Sequence, residues 1–194
     1  MREGKITRST KETEVAVAVK LDGSGRAEIA TGIGFLDHML RTFAFHARLD
    51  LVLSCRGDLE VDDHHTAEDC ALALGEAIDR SLGDRSGIFR FGHAYAPLDE
   101  ALARAVIDLS GRPLAVITLG LTRPMIGTLA TENIEHVFRS LATAARATLH
   151  VDVLRGDNDH HRAESAFKAA ALALRHAKGL DGSLQIPSLK GTLV

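Results

Sequence analysis

The sequence predicts an α+β fold built from two copies of one strand-strand-helix-strand-helix unit, with sheets backed by helices. Three observations predict it. The chain matches itself at long range: LDHMLRTFA (36–44) and IEHVFRSLA (134–142) agree in chemical type throughout, and each is followed by a strand-like run and then a DHHxAE segment, at 63–68 and 159–164. Apolar alternation bounded by glycine marks strands. Alanine-rich stretches with apolar residues at helical spacing mark helices.

Taken in order, EVAVAVKLD (14–22) and RAEIATG (26–32) are separated by GSG and are predicted to pair as a hairpin. GFLDHMLRTFAFHA (34–47) has helical periodicity, LDLVLSC (49–55) reads as a strand, and HTAEDCALALGEAIDRSLG (65–83) reads as a helix stopped by glycine. The second half repeats the order: ARAVIDLS (103–110), PLAVITLG (113–120), a helix from about Glu132 to Ala147, the strand TLHVDVL (148–154), and a helix from about His160 to Ala177. GIFRFGHAYAP (87–97) precedes it as an extra strand or connector, so the halves are taken as 1–86 and 87–194. His38 and His136 lie 98 positions apart and His64 and His160 lie 96 apart, which points to an internal duplication with a two-residue length change. Two copies are too few for an open repeat array, so the halves should pack on each other. Two sheets or one continuous sheet both remain compatible with the pattern.

With 45% hydrophobic and 25% charged residues, the 194-residue chain has the makeup of a globular protein that can bury a core. Its net charge of -3 leaves no electrostatic footprint for nucleic acid. No apolar run approaches a membrane span, and MREGKITRSTKETE lacks the hydrophobic segment of a signal peptide, so a cytoplasmic enzyme without a membrane partner is expected. Cys55 and Cys70 are too far apart for a CxxC site and too few for a disulfide framework; both are expected reduced, with Cys70 in the core.

Six of the ten histidines fall at repeat-related positions: His38, His64, His65, His136, His160 and His161. Within each DHHxAE, the glutamate (Glu68 or Glu164) lies four residues after the first histidine and three after the second, so all three project from neighbouring helix faces. Adjacent histidines diverge by roughly 100° around a helix, which disfavours one ion shared by both and favours two ions. Asp63 and either Asn158 or Asp159 are candidate partners to orient the rings. Imidazole and carboxylate without thiolate suit manganese, iron or zinc, and a high coordination number favours manganese. Which ligand serves which ion stays open.

The stretches RSTKETEV, TGIGFLDHM, VDDHHTAEDC, FRFGHAYAPLDEA, DLSGRP, NDHHRAESAFKA and PSLKG, in this order, resemble the imidazoleglycerol-phosphate dehydratase family over nearly the whole chain. The resemblance implies a duplicated fold like that of ribosomal protein S5 domain 2. It implies two Mn2+ ions per active site and a homo-oligomer of about 24 subunits with active sites between them. It implies metal ligands at His38, His64, His65, Glu68, His136, His160, His161 and Glu164, and adds Glu12, which comparing the halves does not find. The implied reaction dehydrates D-erythro-imidazole-glycerol phosphate to imidazole-acetol phosphate through a metal-stabilised imidazolate/diazafulvene intermediate. Glu12 would shuttle protons, with Glu68 and Glu164 as the other carboxylates of the catalytic set, mainly ligating. For the substrate phosphate the resemblance points to Arg90, Arg112, Lys168, Ser188 and Lys190. Arg41, Thr42 and Leu189 depart from the family pattern. Competing readings are a two-metal hydrolase, which would release phosphate, and a metal-storage or assembly protein, which would need no phosphate-binding groups.

Overall fold

The computed structural model describes residues 2–193; Met1 and Val194, the outer ends of the two predicted halves, lie outside them. In the first half, β1 (Glu3–Ser9), β2 (Thr13–Lys20) and β3 (Ala27–Ala30) lead into α1 (Gly34–Ala47), β4 (Asp50–Gly57) and α2 (His64–Leu82). In the second, β5 (Phe91–Leu98), β6 (Ala101–Asp108) and β7 (Leu114–Thr118) are followed by a small hairpin, β8 (Met125–Ile126) and β9 (Leu129–Ala130). Then come α3 (Thr131–Ala144), β10 (Thr148–Arg155) and α4 (Asp159–Ala177).

Two separate sheets form, ordered β1-β2-β4-β3 and β5-β6-β10-β7, which decides the point the sequence left open. In each, the first three strands are antiparallel and the last pairs parallel to its neighbour. The expected hairpin between residues 14–22 and 26–32 is not formed: β4 inserts between β2 and β3, and α1 carries the chain from β3 to β4. A GSG turn reverses the chain without making its flanks hydrogen-bond, because β3 finds its partner 20-odd residues later through a crossover. Each unit also carries a further strand in front, β1 and β5, so GIFRFGHAYAP contains a true strand.

Those two front strands sit close on helices because of glycine. A Cβ at Gly4 would lie 2.2 Å from the Ala77 carbonyl oxygen of α2, and one at Gly92 would lie 2.0 Å from that of Ala173 on α4. The four helices fill the space between the sheets: α2 packs on β1, β2 and β4, while α4 packs on β5, β6 and β10. Across the seam α2 meets α3 and α1 meets α4, so the main interhelix faces join one half to the other. Within the second half, Phe138 on α3 and Phe167 on α4 are fully buried with ring centroids 4.4 Å apart. Cys70 is buried in the core and Cys55 is half-buried; both are free.

The helix ends repeat as well. Arg48 after α1 and Arg146 after α3 both take left-handed φ, 56° and 51°. In both places the next residue's N–H closes back on a carbonyl five residues earlier, Leu49 to Ala44 and Ala147 to Ala142. Two buried cations tie the halves at this end. Arg85 donates to the carbonyls of Leu109, Ala145 and Arg146, and Lys178 donates to that of Leu21 at 2.5 Å. Burial pushes the pKa of each downward, opposed by the nearby Asp79 and Asp22 respectively. Among the described residues, no helix is long and apolar enough to cross a membrane.

Candidate metal centre

The repeat-related histidines sit near the N-terminal ends of the four helices, so the cross-half helix pairing decides which of them meet. His38 on α1 meets His160 and Glu164 on α4, and His136 on α3 meets His64 and Glu68 on α2. Each trio therefore draws its side chains from both halves. Within each, the candidate ligand atoms all lie within 4.8 Å of one another, a spacing compatible with one ion bonded to all three. His38 Nε2 and His160 Nε2 both stand 3.2 Å from Glu164 Oε2. In the other trio His136 Nε2 is 2.9 Å from Glu68 Oε1, and the His64 and His136 rings stack at 4.8 Å.

His65 and His161 stay outside the trios, as the divergence around the helix predicts. Their rings make angles of 71° and 87° with those of His64 and His160. Each is held at Nδ1 by a carboxylate: His65 by Asp58 at 3.0 Å, His161 by Glu100 at 2.8 Å. These hydrogen bonds raise both imidazole pKa values, and the His161 bond draws Glu100 down to about 2. A second carboxylate faces each Nε2, Glu12 at 3.7 Å from His65 and Asp99 at 4.0 Å from His161. An imidazole with Nδ1 engaged presents Nε2 as a ligand.

The predicted ring partners are not the ones present. Asp63 accepts from the Ala130 N–H, Asn158 caps α4 by accepting from the His160 and His161 N–H groups, and Asp159 accepts from Thr122 and Arg123. Asn158 is committed to its own helix start as N-cap, whereas Asp63 and Asp159 are taken up by backbone donors of the segment that leads into α3. The partners that do hold imidazoles are Asn133, Asp58 and Glu100. Asn133 Oδ1 accepts from His64 Nδ1 at 2.8 Å. One signal for Glu100 existed in the sequence, since it stands at the β5–β6 turn where Glu12 stands at the β1–β2 turn.

The phosphate candidates divide into two neighbourhoods. Arg90 pairs with Asp108 at 2.7 Å and donates to the Pro187 carbonyl, and Arg112 lies 3.8 Å from the same aspartate. This gathers both arginines and the segment with Ser188 and Lys190, where Ser188 Oγ accepts from the Lys190 N–H at 3.2 Å. Lys168 is elsewhere, with Nζ 2.7 Å from Glu164 Oε1. Burial raises the Glu164 pKa, but Lys168 and His38 outweigh it and the net shift is downward. The Arg90 N–H bonds the Ala177 carbonyl at the far end of α4, so the arginine group lies about 25 Å along that helix from His160. Arg41 donates to the Ile29 carbonyl and to Asp37, Thr42 is half-buried on α1, and Leu189 is fully exposed.

A duplicated α+β unit that points two pseudo-symmetric imidazole–carboxylate trios from paired helix ends defines a class suited to two divalent ions in related ligand sets. The comparisons narrow the class. The family model for imidazoleglycerol-phosphate dehydratase matches residues 31–174. An imidazoleglycerol-phosphate dehydratase of Phaffia rhodozyma is 54% identical over 199 residues, covering 100% of this chain and 97% of that protein. One from Salinibacter ruber is 53% identical over 193 residues, covering 99% and 96%. One from Phytophthora nicotianae is 58% identical, and this chain spans 43% of that longer protein. The crystal structure of the Pyrococcus furiosus enzyme in complex with (S)-C348 superposes with a TM-score of 0.84 at 36% identity, over 97% of this chain and 100% of that one. The Staphylococcus aureus enzyme gives 0.83 at 36% identity, over 92% and 99%. The chain belongs to the imidazoleglycerol-phosphate dehydratase family, hydro-lyases of histidine biosynthesis.

Proposed function

We propose that the protein removes water from D-erythro-imidazole-glycerol phosphate to give imidazole-acetol phosphate, at a site holding two Mn2+ ions. The observation that carries the reading is the pair of trios, His38–His160–Glu164 and His64–His136–Glu68, at equivalent places in two halves of a chain of this family. The donor set fits the ions: each trio offers two imidazole nitrogens and a carboxylate oxygen, with His65 and His161 turned away from the trios to serve a further ligand position.

The proton to be removed sits on a carbon bearing a hydroxyl, with no adjoining carbonyl to acidify it. When bound, the ions supply Lewis acidity, favouring the imidazolate form of the substrate ring and acidifying its hydroxyls. Loss of hydroxide then passes through a diazafulvene and an enol that ketonises. Glu12 is exposed beside the outward nitrogen of His65, a position suited to moving protons, while Glu68 and Glu164 are turned into the trios and serve mainly as ligands. Arg90, Arg112, Ser188 and Lys190 would hold the phosphate and Lys168 the part of the substrate nearer Glu164.

The separation along α4 bears on assembly. A substrate with three carbons between ring and phosphate is about 8 Å long by ordinary bond lengths, far short of the span between a chain's own His160 and Arg90. The reading therefore takes the trio from one chain and the phosphate group from another, in a homo-oligomer of about 24 cytoplasmic subunits. The test is to supply manganese-loaded protein with the substrate and follow both ketone and free phosphate beside a chelated control. Metal-dependent ketone without phosphate release supports the reading; phosphate release, or no turnover by a protein shown to hold two ions, sinks it.

A further inference from the structure

The two trios occupy equivalent places, yet their surroundings differ at two positions. Asn133 on α3 is buried, and its Oδ1 engages His64 Nδ1 at 2.8 Å. The 98-residue shift that relates α1 to α3 puts Phe35 at the corresponding place, and its ring lies edge-on to His160 with centroids 5.1 Å apart. A phenyl ring has no amide oxygen to accept from an imidazole N–H. His160 makes its hydrogen bond through Nε2 to Glu164, and its Nδ1 has no partner among the described residues. An acceptor on Nδ1 fixes the ligating tautomer, orients the ring and raises the basicity of Nε2. His64 has that support and His160 does not.

The second difference is one of charge. Lys168 stands one helical turn after Glu164 and engages its Oε1 at 2.7 Å. The 96-residue shift that relates α2 to α4 puts Leu72 one turn after Glu68. Only the α4 glutamate therefore shares its carboxylate with an ammonium group, which both competes for the oxygen and repels a cation beside it. His65 and His161 are held alike at Nδ1, so neither offsets these two differences.

We propose that the two ion sites are unequal by construction: His64–Glu68–His136 holds its ion tightly, and His38–His160–Glu164 is a weaker, exchangeable site. The inference rests on the two-ion reading above and adds which residues grade the ions, with Asn133 and Lys168 as positioning residues rather than ligands.

The test reads ion retention. Manganese-loaded protein is equilibrated with a graded chelator series and the bound metal is measured. Release should occur in two steps of equal size, separated by about 10–100-fold in free Mn2+. His38→Ala should remove the weaker step alone, and His136→Ala the tighter. Asn133→Leu should shift the tighter step toward the weaker by about 10–100-fold. Lys168→Met should tighten the weaker step, a gain that misfolding cannot imitate. A single step releasing both ions, or loss of the weaker step in His136→Ala, would overturn the inference and leave the two-ion reading standing. A protein that retains no ion at any chelator level would overturn both.

Discussion

If trio and phosphate group come from different chains, two disabled variants should repair one another when they share an assembly. One partner carries Glu164→Gln, which removes the carboxylate of a trio; the other carries Arg90→Ala with Arg112→Ala, which removes two charge-assisted phosphate contacts. The second loss alone is about 3 kcal/mol or more, at least about a hundredfold in kcat/KM. The expected division rests on distance: seventeen helical positions separate His160 from Ala177, whose carbonyl anchors Arg90, a span of about 25 Å. In a random equal mixture, a site that takes its trio from one chain and its arginines from another is intact on both sides in about a quarter of cases. Co-expressed, differently tagged chains purified through both tags should recover about 25% of the unmutated rate. Activity no greater than that of the two parents would refute the reasoning, since it would place both groups in one chain's share of the site.

Glu12→Gln should lower kcat by about 10²–10⁴-fold while metal analysis finds both ions retained; loss of an ion would make Glu12 a ligand first. Gly92→Ala drives a Cβ to 2.0 Å from the Ala173 carbonyl oxygen. It should cost about 1–3 kcal/mol, at about 2–4 °C in Tm per kcal/mol, whereas Gly34→Ala, with nothing within 4 Å, should cost almost nothing. In metal-free protein the hydrogen bond that His161 donates to Glu100 raises the His161 pKa above the ordinary 6.5, so the share of stability carried by His161 is present below that value and lost as pH rises through the raised one. The share from Glu100 is present above the ordinary 4.5 and lost only toward about 2. Thermal stability should therefore fall as pH rises from about 6.5 through the raised His161 value, and Glu100→Gln should flatten that fall.

The helices and the residues of the two trios were legible because their signals are local or duplicated. Helical periodicity over 34–47 gives α1 to the residue, and the two DHHxAE copies stand at the starts of α2 and α4. What escaped is set by packing. In β1 the inward positions are Gly4 and Ile6, so a glycine required by the Ala77 carbonyl removes half of the apolar alternation that would have announced the strand. The parallel pairing of β3 with β4 is invisible to local turn chemistry. Asn133 and Asp58 reach their imidazoles across 69 and 7 positions of chain, the first through the seam between halves. No spacing rule selects either one. The β8–β9 hairpin lies where the first half passes directly from β3 to α1, so comparing the halves offers no template for it.

The central claim is that the chain is duplicated so that two related ligand sets can hold two ions. The most direct measurement is anomalous diffraction from crystals of the manganese-loaded protein at the manganese absorption edge. Two peaks are expected for each chain, one bonded to His38, His160 and Glu164 and one to His64, His136 and Glu68. A single peak, or peaks bonded to His65 and His161 with both trios unligated, would contradict it.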